Sequence, residues 1–326
     1  MAADSAFANR LRKNQKRLRR WAERQGLTAY RLYDRDLPEV PFVVELFADR
    51  VHLVEFPRRG KEAPEPLRAE VMEAVQLVLE VPPERIFPKT HLPMPWGREQ
   101  YGLHAAGVSG ERFEVKENGL RFLVNLTDHL DTGLFLDHRD TRARVRADSA
   151  GKRVLNLFAY TGSFSVYAAA GGAQATTTVD LSNTYLDWAA DNLALNGFSG
   201  AAHQLLRSDV TRWMGQSVDA RERYDVIVLD PPSFSASKAM SASFNVQRDQ
   251  VKLLRAALEL LDHRGILYFS TNFRGFALTP AKVPAHFEEL TPRSLPEDFH
   301  DRAIHRCWRV THAGNVPQLK HVKRGA

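Results

Sequence analysis

The hydrophobic pattern of the chain changes period twice. Between residues 6 and 25 apolar side chains recur at helical spacing: Phe7, Leu11, Leu18 and Trp21 form one stripe, and Arg and Lys fill most of the remaining surface. Gly26 stops this helix. Strand-like runs follow at 30–33, 41–47 and 50–56, with Ala48-Asp49 as a hairpin turn. Helical spacing returns over 67–79. Residues 81–111 are broken by Pro82, Pro83, Pro88, Pro93 and Pro95 and read as irregular. A second hairpin, 112–117 with 120–126, turns on Asn118-Gly119, a pair that tolerates the left-handed backbone of a two-residue turn.

After Arg146 the rhythm becomes strand, helix, strand. Apolar runs at 154–158, 175–179, 201–207, 224–229 and 265–270 are separated by helical patterns running to 170, over 184–196 and over 247–261. This alternation predicts βαβ units and a doubly wound parallel sheet. The expected organisation is a basic helix plus an α+β RNA-binding unit over 1–127, a bridging segment over 128–150, an α/β unit over 151–318, and a basic tail over 319–326. The run around Cys307 reads as a terminal strand.

Charge sharpens the first unit. The chain has 326 residues and a formal net charge of +6. Residues 1–24 hold Arg10, Arg12, Lys13, Lys16, Arg17, Arg19, Arg20 and Arg24 against Asp4 and Glu23, so the whole surplus sits there and the remaining 302 residues are neutral. A histone-like, uniformly basic binder is excluded; a near-neutral body with one cationic arm remains. Arg10, Arg12, Lys13, Lys16, Arg17 and Arg20 are the residues expected to face phosphate. No stretch has the apolar length of a membrane span, and the basic start lacks the apolar run of a secretory signal, which predicts a cytoplasmic protein, although an Arg-rich amphipathic start also fits a transit peptide. The single cysteine excludes a disulfide framework and a cysteine-built zinc site. The histidines show no metal-ligand spacing, so no metal is expected.

Ligands of open α/β sheets bind at the carboxyl ends of the strands. The first strand there ends in Phe158, Tyr160, Thr161, Gly162 and Ser163, a small-residue turn that lets backbone approach a ligand; it is neither the dinucleotide fingerprint nor a P-loop. The second ends in Asp180-Leu181-Ser182, 18 residues after Gly162, where a carboxylate accepts both hydroxyls of a ribose. The third ends in Asp209-Val210, whose carboxylate suits an adenine amino group, or merely caps a helix. The fourth ends in Asp230-Pro231-Pro232-Ser233-Phe234: the prolines fix φ and remove two donors, leaving carbonyls free to face the pocket, and Phe234 offers a stacking surface. Together these acids and the glycine turn point to an adenosine-type ligand beside a planar base.

These motifs resemble the class I S-adenosylmethionine-dependent methyltransferases, within them the D-P-P-[SF] rRNA group, and more closely the RlmK-type 23S rRNA (guanine-N7)-methyltransferase family, the C-terminal half of a bifunctional large-subunit rRNA enzyme. The resemblance extends over Phe7-Ala8-Asn9-Arg10-Leu11-Arg12-Lys13-Asn14, Asn125-Leu126-Thr127-Asp128, Leu130-Asp131-Thr132-Gly133-Leu134-Phe135-Leu136-Asp137-His138-Arg139 and Asn272-Phe273-Arg274-Gly275-Phe276, from about residue 6 to Trp308. It implies a Rossmann-like fold, S-adenosyl-L-methionine as cofactor, and 23S rRNA or a large-subunit precursor as partner. It also implies methylation of guanine N7, with guanine N2, adenine N6 and cytosine C5 as alternative targets. Methyl transfer to N7 needs positioning rather than a base, because N7 already presents a lone pair. A donor near O6 is required, for which Lys238, Arg248 and Arg274 are candidates. Cytosine C5 chemistry needs a cysteine near strand four or five, where none occurs. Phe135 is expected to cover the adenosine edge, and Asp137 and Arg139 to pin their loop over the cofactor, with His138 structural. Residues 233–243 read as a lid or RNA-contacting loop.

Overall fold

A computed structural model describes residues 4–58, 60–91, 110–128, 131–235 and 243–314. Helix α1 (Ala6–Gln25) begins at Ser5, whose side chain accepts from the Ala8 N–H, and ends at Gly26 in the left-handed region. Its stripe of Phe7, Leu11 and Leu18 is buried, with Trp21 partly buried against the same core. The helix lies beside α2 (Glu65–Leu79) on a four-stranded sheet of β1 (Ala29–Asp34), β2 (Phe42–Phe47), β3 (Arg50–Glu55) and β4 (Ile86–Thr90). Strand β4 corrects the irregular reading of 81–111. It pairs parallel to β3 at the sheet edge, with Pro88 opposite Leu53, and an edge strand accommodates proline.

The hairpin of β5 (Phe113–Glu117) and β6 (Leu120–Val124) turns through Asn118 and Gly119, both at positive φ. Helix α3 (Arg139–Ala147) follows. Its buried face is Arg139, Thr141, Arg142 and Val145, mostly polar, so the helix carries no apolar periodicity in the sequence. The large sheet has the order β14-β15-β13-β10-β7-β8-β9, built from β7 (Arg153–Leu157), β8 (Ala175–Asp180), β9 (His203–Arg207), β10 (Tyr224–Leu229), β13 (Leu261–Thr271), β14 (Ala285–Glu289) and β15 (Arg306–His312). Strands β7 to β10 and β13 pair in parallel; β15 inserts antiparallel beside β13. The two-residue strands β11 (Phe234–Ser235) and β12 (Phe244–Asn245) pair with each other. Helices α4 (Ser163–Ala170), α5 (Asn183–Leu195), α6 (Val210–Asp219) and α7 (Val246–Leu260) complete the α/β layering. Chain order reverses between β7 and β10, which places the ligand crevice at their carboxyl ends.

Buried charge joins the parts. The Glu117 carboxylate accepts from Arg139 Nε (3.1 Å), Arg142 Nε (2.8 Å) and Nη2 (2.9 Å), and the Tyr167 hydroxyl (2.8 Å). Arg139 also donates to Asp298 (2.8 Å) and to the Ala29 carbonyl (2.9 Å). The hairpin thus meets β1, α3 and the segment before β15 through one guanidinium. On its other side, the hairpin receives Trp188 Nε1 at the Leu123 carbonyl (3.0 Å). No helix among the described residues is long and apolar enough to cross a membrane.

Candidate active site

Beyond Leu157 the chain winds through three left-handed residues, Phe158 (φ 56°), Tyr160 (φ 51°) and Gly162 (φ 73°). For the two that carry side chains this costs of order 1–2 kcal/mol each. Several bonds hold the turn. Tyr160 N–H donates to Asp180 Oδ2 (2.9 Å), the Thr161 hydroxyl to the Gly133 carbonyl (2.6 Å), and the Asn192 amide to the Thr161 carbonyl (3.0 Å). The Tyr160 ring lies 5.1 Å from Phe135 and 4.6 Å from Tyr185. Gly162 is required twice over: its φ is positive, and a Cβ there would lie 2.7 Å from Ala189 Cβ on α5. Ser163 opens α4 immediately behind it.

Asp180 ends β8 and accepts from both Tyr160 N–H and Ser182 N–H (2.9 Å), so it clasps the first turn to the second. Burial lifts its carboxyl above the ordinary value, against the pull of these backbone donors. Two donors leave carboxylate lone pairs for a ligand hydroxyl. Ser182 caps α5, accepting from Tyr185 N–H (3.4 Å); Leu181 beside it is half-buried. Asp209 Oδ1 caps α6 through Thr211 and Arg212 N–H. Val210 is turned into the hydrophobic core, so its side chain packs rather than faces the crevice.

Asp230 ends β10 at the switch point. Its Oδ1 accepts from the Ser270 hydroxyl (2.6 Å), and the His138 ring nitrogen Nε2 faces its Oδ2 at 3.5 Å. Pro231 is buried and Pro232 half-buried. The Ser233 hydroxyl reaches Asn272 (2.7 Å), and Phe234 begins the short ladder to Asn245. The loop expected as a lid lies mostly at 236–242, outside the described residues, as does Lys238.

Other expected residues stand elsewhere. Phe135 does reach the Tyr160 turn, but Arg139 turns away from the crevice into Glu117, Asp298 and Ala29, so it ties the hairpin, β1 and the segment before β15 together rather than pinning a loop. Asp137 is buried and accepts from His305 Nδ1 (2.7 Å). Burial would raise its carboxyl, yet His138 and His305 outweigh this and hold it well below the carboxylate range. Asp137, His138 and His305 bring their ligand atoms within 4.8 Å of one another, a grouping invisible to sequence spacing. Both nitrogens of His305 are engaged, the second by Ser294 (3.0 Å), and its ring stacks on His138, so their lone pairs do not converge on a common centre. Arg274 pairs with Asp301 and Arg248 with Asp249, both at exposed positions. On α1, Arg12, Lys13, Lys16, Arg17 and Arg20 are exposed, whereas Arg10 is half-buried near Asp36 (3.9 Å) and Arg17 pairs with Glu297 (2.7 Å).

Comparison with known proteins identifies the family. The sequence profile described as S-adenosylmethionine-dependent methyltransferase matches residues 100–304. Ribosomal RNA large subunit methyltransferase K of Neisseria meningitidis is 48% identical over 94% of this chain and 87% of its own length. Ribosomal RNA large subunit methyltransferase K/L of Ectopseudomonas mendocina is 47% identical over 94% of this chain, which spans 42% of that protein. Among solved structures, the methyltransferase SMU.776 complexed with S-adenosylhomocysteine superposes with a TM-score of 0.74 at 27% identity, covering 93% of this chain and 80% of that one. Turn, ribose-type carboxylate and strand-four motif all fit S-adenosylmethionine, and the chain belongs to the S-adenosylmethionine-dependent methyltransferase family.

Proposed function

We propose that the protein transfers a methyl group from S-adenosylmethionine to N7 of a guanine in 23S rRNA. What carries this reading is the likeness over 94% of the chain to a relative named for large-subunit rRNA methylation, in a chain whose surplus charge is gathered on one exposed helix face. The cofactor supplies an activated methyl on a sulfonium. The 158–163 turn approaches it by backbone, Asp180 takes the ribose hydroxyls, and Asp209 lies at the adenine end. Asp230, held by Ser270, and the carbonyls freed by Pro231 and Pro232 accept N–H groups of the base. Guanine offers such donors at N1 and N2, which leaves N7 on the opposite edge turned toward the methyl. Catalysis is then positioning, with reacting atoms about 3–3.5 Å apart and no proton to remove. The exposed Arg and Lys of α1 grip rRNA phosphates without reading sequence. A ribosomal substrate sets the work in the cytoplasm.

Among the alternative targets, guanine N2 and adenine N6 also suit the acceptor groups around Asp230. Cytosine C5 does not fit, because Cys307 is fully buried in β15 and burial pushes its thiol up to about 12. The test is transfer of labelled methyl to 23S rRNA from cells lacking the enzyme, followed by cleavage at N7-methylguanine. Label that resists this cleavage and maps to an amine would overturn the N7 assignment.

A further inference from the structure

His138 sits where chemistry and packing meet, yet nothing in the reaction above uses it. Its ring lies between Phe164, edge-on at 5.7 Å, and His305, stacked at 4.3 Å with 7° between planes. It is buried. Its Nε2 faces two carboxylates, Asp230 Oδ2 at 3.5 Å and Asp137 Oδ2 at 3.8 Å, and its Nδ1 has no hydrogen-bond partner. His305 is fixed behind it, donating from Nδ1 to Asp137, with its Nε2 3.0 Å from the Ser294 hydroxyl. Asp230 is already held by one oxygen, through Ser270.

We propose that His138 is a positioning residue for Asp230: as a neutral Nε2–H tautomer it supplies the second donor that sets the plane of the carboxylate. Ser270 then holds Oδ1 and His138 steers Oδ2, so the lone pairs left over point out of the strand end toward the base. A proton on Nε2 meets two acceptors, whereas one on Nδ1 would meet none, and this fixes the tautomer. Burial pushes His138 below its ordinary value, with Asp230 and Asp137 opposing and His305 and Arg142 adding to the shift, which favours the uncharged ring. The contact of 3.5 Å is long for a hydrogen bond, as such contacts often are before the ligand is bound, and closure on the base shortens it. Asp137, His305 and Ser294 form the rear support that keeps the ring from turning.

The inference rests on the reading of Asp230 as the base-facing acid, and two measurements separate the two. Nitrogen NMR of histidine-labelled protein should show His138 as the neutral Nε2–H form, with its resonance shifted in Asp230→Asn; a cationic ring or an Nδ1–H form overturns the proposal whatever the enzyme acts on. In single turnover on 23S rRNA, His138→Phe should lose about ten- to a hundredfold in rate, with S-adenosylmethionine affinity within twofold of the parent. His138→Gln, which keeps a donor, should recover part of that loss and serves if the Phe variant does not fold. In an Asp230→Asn background, His138→Gln should cost nothing further. An equal loss in both backgrounds means a merely structural role and sinks the proposal, while a parent enzyme that leaves 23S rRNA unmethylated refutes the functional reading instead.

Discussion

Gly162 gives the sharpest test of how the 158–163 turn is built. Alanine there must hold φ at +73°, which costs about 1–2 kcal/mol. Its methyl also meets Ala189 Cβ at 2.7 Å, well inside the roughly 3.5–4.0 Å of a normal carbon contact. Overpacking of this kind costs about 1–3 kcal/mol. Together the two terms predict a destabilisation of about 2–5 kcal/mol, or a fall in melting temperature of roughly 4–20 °C. The two terms separate in a double-mutant cycle. Ala189→Gly alone costs about 1 kcal/mol as a mid-helix glycine. Combined with Gly162→Ala it removes the colliding atom, so the pair should be more stable than the sum of the singles by about 1–3 kcal/mol. The backbone strain should persist, and with it part of the loss of S-adenosylmethionine affinity measured by calorimetry. Strict additivity, together with undiminished cofactor binding in the single variant, would refute the claim that α5 clamps this turn.

Four further outcomes rest on individual charged groups and on Cys307, the first of them on Asp131, half-buried in the segment before α3. Burial raises the Asp131 carboxyl to about 6, so its contribution to stability is full below about pH 4 and is lost as pH rises to about 6; in melts across pH 4–8, Asp131→Asn should gain on the parent up to about pH 6 and hold a constant lead above it. Glu117→Gln leaves Arg139 and Arg142 buried with less compensating charge and should cost about 3–5 kcal/mol in denaturant unfolding. Replacing Arg12, Lys13 and Lys16 together should flatten the slope of log affinity for rRNA against log salt by up to about three; an unchanged slope returns α1 to a structural role. Cys307→Ala should keep methyl transfer while losing some stability, and a folded but inactive variant would reopen cytosine C5 chemistry.

How much of this was legible in sequence depends on whether the signal was local. The α1 stripe, the Asn118-Gly119 hairpin, the strand–helix alternation and the acids at the strand ends are local patterns, and the fold carries each of them. Strand β4 was hidden by Pro88, which is tolerated because the strand is an edge whose pairing comes from one side. Arg139 shares a segment with Phe135, which reaches the Tyr160 turn, but as the first residue of α3 it faces the opposite way, toward Glu117, and no local pattern marks that change. The partnership of Asp137 with His305 spans 168 positions, and no spacing rule reaches that far. Ser270 and Asn272 could have been suspected, since they end the strand beside the one that carries Asp230.

The Arg139 junction also bears on where the chain can be cut. A break between residues 127 and 128 leaves Glu117 on one fragment and Arg139, Arg142 and Asp298 on the other, although they form a single buried network. Neither fragment can close its share of that network alone, and each is left with charge that is expensive to bury unpaired. The two should therefore be insoluble when expressed apart and should reassemble when expressed together. The stretches before and after residue 128 then behave as one folding unit, and the natural assay for it is fragment complementation.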